Sequence, residues 1–281
     1  MSTETGRDVR ADVRRHYGVH ARTQSSCCGG ASADDSGGTE ASCCGGGGSV
    51  DAALLEKGER IGYTAEELAA VPEGAAMSLG CGNPQAIAGL SPGEVVVDLG
   101  SGAGLDCFLA SRQVGTTGRV IGVDMTPEMI ERARQSAERG GYTNVEFRLG
   151  EIEHLPVADA SVDVLISNCV LNLSPNKPRV FDEAFRVLKH GGRLAISDVV
   201  TTADLPADLR ADPSSVAGCV GGAASVDALE SMLHDAGFES VAVEPDEGSE
   251  EFIREWDPER DVSDYIAAAT IEAKKPVSDA G

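Results

Sequence analysis

Short apolar runs alternate with helical segments between Glu94 and Val200, and this alternation constrains the fold more than any other feature of the sequence. The runs EVVVDL, RVIGVD, VEFRL, VDVLIS and GRLAISDVV have the length and composition of buried strands. The segments between them, such as PEMIERARQSAERGG, have helical periodicity and end at glycine. Strands that alternate with helices form a parallel sheet covered on both faces. The sequence therefore predicts an α/β protein with a doubly wound, mostly parallel sheet.

The region before this core differs from it in composition. Within residues 7–22 the apolar side chains of Val9, Val13 and Tyr17 are four apart, which predicts a short amphipathic helix. In residues 25–49, Gly, Ser and Cys fill 18 of 25 positions. Such a segment buries too little apolar surface to offset its ordering entropy, so we expect a flexible Cys/Gly-rich tail.

The region after the core is a smaller extension. We expect a helix at SVDALESMLHDAGF, a solvated acidic loop over residues 244–264 and an edge strand at ATIEAKK. The predicted organisation is an N-terminal helix and tail over 1–50, a cofactor-binding core that includes Cys81 over 51–200, and a substrate-binding extension over 201–281.

The formal charge of −23, from 46 acidic and 23 basic residues, restricts the possible partners. Such a surface repels phosphate backbones and anionic lipids, so we expect no nucleic-acid and no membrane partner. The basic residues are 18 Arg and 5 Lys, an acid-rich and Lys-poor composition that suggests a halophile-like protein kept soluble in high salt. We find no signal-peptide pattern and no apolar run of ~18 residues, so we expect a cytoplasmic protein. There the 8 cysteines are metalloid ligands, reactive thiols or buried residues rather than a disulfide framework.

The first predicted strand leads into a glycine-rich loop, DLGSGAG, at residues 98–104. Without Cβ atoms, the backbone N–H groups of such a loop can approach a ligand closely. The G-x-G-x-G spacing differs from the G-x-G-x-x-G of dinucleotide-binding proteins, which disfavours a nicotinamide-dependent dehydrogenase. Asp124 ends the second strand, where a carboxylate can accept hydrogen bonds from both ribose hydroxyls. The third strand ends at GEIE, residues 150–153, where an adenine ring would lie.

Residues 94–200 resemble the class I S-adenosylmethionine-dependent methyltransferases in this loop and in Asp124. The resemblance implies the Rossmann-like fold of those enzymes and S-adenosylmethionine as cofactor. It also implies that the loop passes the methionine part of the cofactor and that Asp98 supports the loop and the amino end. The predicted cofactor-binding residues are Asp98, Gly100, Ser101, Gly102, Gly104, Asp124, Met125, Glu151, Ile152 and Asn168.

Three cysteines lie in predicted loops near this edge of the sheet. Cys169 and Cys219 follow the fourth and fifth strands, and Cys81 lies in a glycine-flanked loop before the first. Ligands of parallel sheets bind beyond the carboxyl ends of the strands, so the three thiols can converge above the cofactor. Simple burial among apolar neighbours is the alternative for Cys169. Cys107 falls on the predicted helix after the glycine loop, so we expect it to be a buried structural residue.

The segments GCGNP, DLGSGAGLDCFLA, GVDMTPEM, SNCVLNL and ATIEAKKP together are similar to the arsenite methyltransferases, from about Val50 to the end of the chain. The resemblance implies methylation of trivalent arsenic, as arsenite or its thiol adducts, bound by the catalytic cysteines Cys81, Cys169 and Cys219. Thiolates are the form that binds soft ions, so lowered pKa values of these thiols would favour binding.

The same resemblance assigns a role to the N-terminal doublets. One doublet cysteine is expected to pair with Cys81 during redox cycling, which makes Cys43 and Cys44 candidate ligands as well, although the sequence does not choose between them and Cys27 and Cys28. The resemblance further implies an arsenical as the small-molecule partner, a glutathione- or thioredoxin-like thiol reductant, and a role in detoxification.

Two other functions remain open on the sequence alone. A methyltransferase for a quinone or lipid precursor would share the cofactor core but has no use for three converging thiols. A non-catalytic, thiol-rich metalloid-binding protein would explain the doublets. His16 and His20, four apart, could add a metal site to such a protein, and a solvated helix face is the alternative reading of that pair.

Overall fold

The computed structural model describes residues 3–23, 52–77, 80–257 and 260–278. The predicted flexible tail over 25–49, with all four doublet cysteines, lies outside the described residues.

Within those ranges the chain forms eight strands: β1 (Val95–Leu99), β2 (Arg119–Asp124), β3 (Val145–Leu149), β4 (Val162–Asn168), β5 (Leu188–Thr201), β6 (Ala224–Ser225), β7 (Glu239–Pro245) and β8 (Ile266–Lys274). They make one sheet in the order β3-β2-β1-β4-β5-β8-β7, and the short β6 pairs with β5. The first five strands and β6 are parallel to one another, whereas β8 runs antiparallel to both β5 and β7.

The described residues also form eleven α-helices: α1 (Thr3–Thr23), α2 (Ala52–Arg60), α3 (Ala65–Ala69), α4 (Pro84–Ala88), α5 (Leu105–Val114), α6 (Pro127–Gly140), α7 (Lys177–Val187), α8 (Ala207–Ala211), α9 (Pro213–Ala217), α10 (Val226–Asp235) and α11 (Glu250–Ile253). Short 3-10 turns cover Leu171–Leu173, Glu247–Ser249 and Val262–Asp264. Nowhere in the described ranges is a helix both long and apolar enough to cross a membrane.

Helices cover both faces of the sheet. Successive residues of β1 point to opposite sides: Val96 packs with the buried residues of α4, α5 and α6, while Val97 and Leu99 pack with those of α7 and α10. Every residue of β1 after the first is at most 2% exposed, as a strand buried on both faces must be. The predicted doubly wound, mostly parallel α/β fold is confirmed.

Two predictions for the C-terminal extension are wrong. The strand at ATIEAKK is β8, which lies inside the sheet, and β7 forms the edge. The acidic segment over 244–264 is not simply a solvated loop, because it contains α11, where Ile253 is fully buried and Phe252 and Trp256 pack beside it. Sparse apolar residues in an acidic stretch are enough to anchor it to the body of the protein.

Helix α1 packs on the carboxyl edge of the sheet, against α6 and α9. Its Val13 is 1% exposed. Arginines on its other positions pair with acids of the core: Arg14 donates to Glu151 at 2.5 Å and Arg22 donates to Glu128 at 2.5 Å. The predicted amphipathic helix is therefore longer than the pattern indicated. It covers the carboxyl edge of the sheet, where ligands are expected.

Candidate active site

The glycine loop is folded back onto the end of β2. The N–H groups of Gly100 and Ser101 donate to the carbonyl of Val123 at 2.7 and 3.0 Å, and that of Gly102 donates to Oδ2 of Asp124 at 3.0 Å. Gly100 has φ +69°, and a Cβ there would lie 2.3 Å from Val170. Only glycine fits this turn, which holds the loop and the Asp124 carboxylate on one side of the same space.

A cavity opens over this loop, between the sheet edge and α1. Of the ten residues predicted to bind the cofactor, all except Gly104 and Glu151 line it. Gly104 caps α5 with φ +97°, where a Cβ would approach Phe147 to 2.7 Å, so its role is in the turn. Glu151 turns away to pair with Arg14 and, at 3.6 Å, with Arg10. Its neighbours Ile152 and Glu153 line the cavity instead.

The cavity is rich in carboxylates. Burial raises the pKa of Asp98 well above its usual range, with a further contribution from Asp106, and burial raises the pKa of Asp106 itself to about 6. Burial also raises the pKa of Asp124. Buried carboxyls resist ionisation until a cation lies among them, so the cavity suits a ligand with a positively charged centre.

The loop also leaves polar groups for a ligand to complete. The Ser101 hydroxyl is buried and has no hydrogen-bond partner among the described residues, and a Cβ at Gly102 would meet no atom within 4 Å. A nucleoside ligand with an ammonium or sulfonium centre fits this combination of space, hydrogen-bonding capacity and negative charge. S-adenosylmethionine is such a ligand.

Asn168 holds the loop of Cys81 against the end of β4. Its Oδ1 accepts from the N–H of Cys81 at 3.1 Å, and its Nδ2 donates to the carbonyl of Gly82 at 2.7 Å. A Cβ at Gly80 would lie 2.4 Å from the Asn168 amide, and one at Gly82 would lie 2.8 Å from Ser197. The two glycines beside Cys81 therefore allow the loop to lie flat on the sheet edge.

The structure brings the three predicted thiols together. The Sγ atoms of Cys81 and Cys169 and a carboxylate oxygen of Asp198 lie within 4.8 Å of one another. The Cys219 thiol lies 2.8 Å from the carbonyl oxygen of Cys169 and also forms a hydrogen bond with the Cys169 thiol. All three are at most 5% exposed. Cys107 lies apart in the core, fully buried, and donates to Oδ2 of Asp98 at 3.2 Å.

Two of the three thiols are carried on left-handed backbone. Cys169 has φ +57° and Cys219 has φ +65°. A residue with a Cβ adopts this region at a cost of about 1–2 kcal/mol. Strain of this kind persists where the surrounding structure demands it, and it is concentrated at functional sites.

The pKa values of the three thiols are raised and not lowered. Burial raises the pKa of Cys81. For Cys219 the hydrogen bond with Cys169 and burial raise the pKa well above its usual range. At Cys169 the largest single effect, the bond with Cys219, lowers the pKa, but the bond with Cys81 and burial outweigh it and the pKa is again well above the usual range. The resting cluster is therefore neutral.

A second cavity reaches the thiols from the other side, between α1, α9 and the segment around Trp256. Cys169 and Cys219 line it. Tyr17, Gly80 and Cys169 line both cavities, so the two spaces adjoin at these residues. A group bound at the thiols and a group bound over the glycine loop would meet there.

Several residues of the site were not predicted from the sequence. Tyr17 reaches it from α1 and donates to the carbonyl of Ala217 at 3.0 Å. Asp198 lies behind the thiols, where it accepts from the N–H groups of Leu171 and Val199 at 2.8 Å, and burial raises its pKa to about 6. The four-residue spacing that places Tyr17 on one face with Val13 was the available signal, whereas nothing marked Asp198.

The histidine pair does not form a metal site among the described residues. The rings of His16 and His20 have centroids 4.7 Å apart. The one group of three potential ligands in those parts of the chain is that of Cys81, Cys169 and Asp198.

Comparison with known proteins agrees with this geometry. Residues 90–237 match a family described as a methyltransferase domain. An arsenite methyltransferase from Halobacterium salinarum is 54% identical over 272 residues, which cover 97% of this chain and 68% of that protein. This chain belongs to the arsenite methyltransferase family. It is therefore an S-adenosylmethionine-dependent methyltransferase by family, and hydride-transfer chemistry is set aside.

More distant members of the arsenite methyltransferase family match a shorter part of the chain. The human arsenite methyltransferase is 42% identical over 152 residues, 51% of this chain and 40% of the human protein. The crystal structure of an arsenic (III) S-adenosylmethionine methyltransferase from Chlamydomonas reinhardtii has a TM-score of 0.60 and 31% identity, and the match covers 80% of this chain and 74% of that one.

Proposed function

We propose that this protein transfers a methyl group from S-adenosylmethionine to trivalent arsenic held by Cys81, Cys169 and Cys219. The observation that carries the proposal is the position of Cys169. This residue of the thiol cluster lines both the cofactor cavity and the second cavity. The family membership supports the same acceptor.

The three thiols provide a binding site that matches the chemistry of arsenic. Each exchange breaks an arsenic–oxygen bond and forms an arsenic–sulfur bond, and the thiol proton leaves with the hydroxyl group as water. Trivalent arsenic is soft and prefers sulfur to oxygen ligands. With three sulfur ligands arsenic keeps a lone pair, so no protein base is needed to create a nucleophile.

The cofactor, when bound, supplies an electrophilic methyl group on a positively charged sulfur. The chain's own residues hold it: Asp124 is available for the ribose hydroxyls, and Asp98 and Asp106 for positive charge. Fixing the two reactants in adjoining cavities is the main catalytic contribution of the protein, because orientation alone is worth about 7–11 kcal/mol at best.

The proposal extends to a thiol reductant and to detoxification. Formation of a carbon–arsenic bond with the arsenic lone pair raises arsenic formally from the trivalent to the pentavalent state. Two glutathione thiols, or the dithiol of a thioredoxin-like protein, would supply the two electrons that return it to the trivalent state, and would themselves be oxidised to a disulfide. The N-terminal doublets Cys27-Cys28 and Cys43-Cys44 are candidates for passing arsenic or electrons to Cys81.

The test is incubation of the purified protein with labelled S-adenosylmethionine, arsenite and glutathione, followed by separation of arsenic species. Label is expected in methylated arsenicals for the wild type and for Cys107→Ser, and to be lost in Cys169→Ser and Cys219→Ser. Cofactor binding should survive in all four proteins. Wild-type arsenic methylation by Cys169→Ser, or transfer of label to a quinone precursor but not to arsenic, would refute the proposal.

A further inference from the structure

Tyr63 connects the wall of the cofactor cavity to the loop of Cys81 without lining either cavity. It lies in the turn between α2 and α3 and is 2% exposed. Its hydroxyl donates to Oδ1 of Asp106 at 2.8 Å and accepts from Nδ2 of Asn168 at 2.9 Å. Asp106 lines the cofactor cavity, and Asn168 holds the Cys81 loop. A continuous chain of hydrogen bonds therefore runs from the cofactor cavity to the backbone N–H of Cys81.

The direction of each bond in this chain is fixed by chemistry. The N–H of Cys81 can only donate, so the atom of Asn168 that faces it must be the oxygen. The amide nitrogen is then left to donate to the Tyr63 hydroxyl and to the carbonyl of Gly82. Because the Tyr63 oxygen receives that proton, its own proton must point to Asp106. No member of the chain can rotate without loss of a buried hydrogen bond.

The last acceptor in the chain is sensitive to charge in the cofactor cavity. A positively charged group bound there favours the ionised form of Asp106, and a hydrogen bond to an ionised acceptor is shorter and stronger than one to a neutral acceptor. Burial raises the pKa of Asp106 to about 6, so a bound cation increases the ionisation of this carboxyl at pH values near and below 6. A stronger bond from Tyr63 to Asp106 fixes the hydroxyl that orients the Asn168 amide, and hence the loop of Cys81.

We infer that Tyr63 is a positioning residue that couples cofactor binding to arsenic binding through Asp106 and Asn168. The inference rests on the proposed function, because it takes the thiols as the arsenic site. The cofactor strengthens the binding of arsenite, arsenite strengthens the binding of the cofactor, and this mutual effect requires the Tyr63 hydroxyl. Such coupling is reciprocal, so either ligand can be used to measure it.

The experiment measures arsenite binding at about pH 5.5, below the pKa of Asp106, in the presence and absence of saturating S-adenosylhomocysteine. This ligand has the amino end of the cofactor but no methyl group to transfer. Trp256 is the single tryptophan and lines the thiol cavity, so its fluorescence reports arsenite binding. The full-length protein, Tyr63→Phe and Tyr142→Phe are compared. Tyr142→Phe is the matched control, because its hydroxyl makes only a 3.5 Å contact with the carbonyl of Ala70.

For the wild type and Tyr142→Phe we expect saturating S-adenosylhomocysteine to tighten arsenite binding by about five-fold or more, the lower end of typical couplings. For Tyr63→Phe we expect both ligands to bind and the ratio of the two arsenite Kd values to fall to about 1. The titration in reverse, with S-adenosylhomocysteine as the varied ligand, should give the same ratios.

Three outcomes would overturn the inference. One is a ratio of arsenite Kd values in Tyr63→Phe that equals the wild-type ratio. Another is a ratio of 1 in a wild-type protein that binds both ligands and methylates arsenite. Either result would leave the proposed function intact. Absence of arsenite binding by the wild type would remove both. If Tyr63→Phe does not fold, Asp106→Asn serves in its place: it keeps an oxygen to accept from Tyr63 but cannot ionise, and retention of the wild-type ratio would refute the role of charge.

Discussion

The left-handed backbone at Cys169 can be tested by comparing alanine with glycine at the same position. Both substitutions remove the thiol, so the difference between them reports on the backbone and on one buried methyl group. Cys107, fully buried in the first turn of α5, is the matched control. There, replacing Ala by Gly removes a buried carbon worth about 0.8 kcal/mol. It also lowers helix propensity by about 1 kcal/mol, so we expect a loss of about 2 kcal/mol.

At Cys169 the same exchange should cost almost nothing. Loss of the buried carbon costs about 0.8 kcal/mol, and the added freedom of the unfolded chain costs about 0.4–1 kcal/mol. Relief of a left-handed residue at φ +57° gains about 1–2 kcal/mol, which offsets both. The measurement is urea unfolding of the four variants under reducing conditions, with equal m-values as the check. A loss near 2 kcal/mol at both positions would refute the assignment of backbone strain to the thiol site.

Three further predictions concern the cofactor cavity. Asp124→Ala should weaken S-adenosylmethionine binding in calorimetry by about 1.5–3 kcal/mol, the worth of a hydrogen bond to a charged group, and an unchanged Kd would show that Asp124 does not hold the cofactor. Cofactor affinity should fall as pH is lowered below about 6, because protonation of Asp106 removes the charge that favours a cation; affinity that is flat from pH 7.5 to 5 would contradict this. Arg10→Gln removes the 2.9 Å bond to Glu153, whose side chain is 4% exposed, and should speed proteolysis of α1. Bound cofactor should slow this cleavage. Equal cleavage rates with and without cofactor would show that α1 does not cover the bound ligand.

The central fold was predictable because its signals are local. Each strand of the core is a short apolar run, and each helix has its own periodicity. The glycine loop and Asp124 lie within one strand–helix–strand unit, from β1 to the end of β2. The place of β8 was not predictable in the same way. Its sequence, IAAATIEAK, mixes small, apolar and charged residues and fits an edge or an interior strand equally well. Its place in the sheet depends on β7, which pairs with it on the outer side.

In the candidate site, too, residues within local motifs were predictable, and residues placed by long-range contacts were not. Residues of the glycine loop could be assigned from spacing, but Glu151 was assigned to the cofactor when it pairs with Arg14 across 137 positions of the chain. Tyr63 reaches Asn168 across 105 positions. Contacts of that kind are set by packing of separate elements, and no periodicity in the sequence marks them.

The raised thiol pKa values change the account of how the site works. A thiolate beside a positively charged sulfur that bears a methyl group is itself a target for methylation, since the thiolate is the nucleophilic form of cysteine. Hydrogen bonds within the cluster together with burial raise the pKa values of Cys169 and Cys219, and burial raises that of Cys81, so all three thiols stay protonated near neutral pH and are protected from this reaction. Arsenic binding does not need preformed thiolates, because each thiol proton leaves with an arsenic-bound hydroxyl as water. Once the sulfur atoms are bonded to arsenic, the lone pair of arsenic is the remaining nucleophile at the junction of the two cavities. Under the proposed function, the burial that disfavours free thiolates would therefore direct the methyl group to arsenic rather than to the protein.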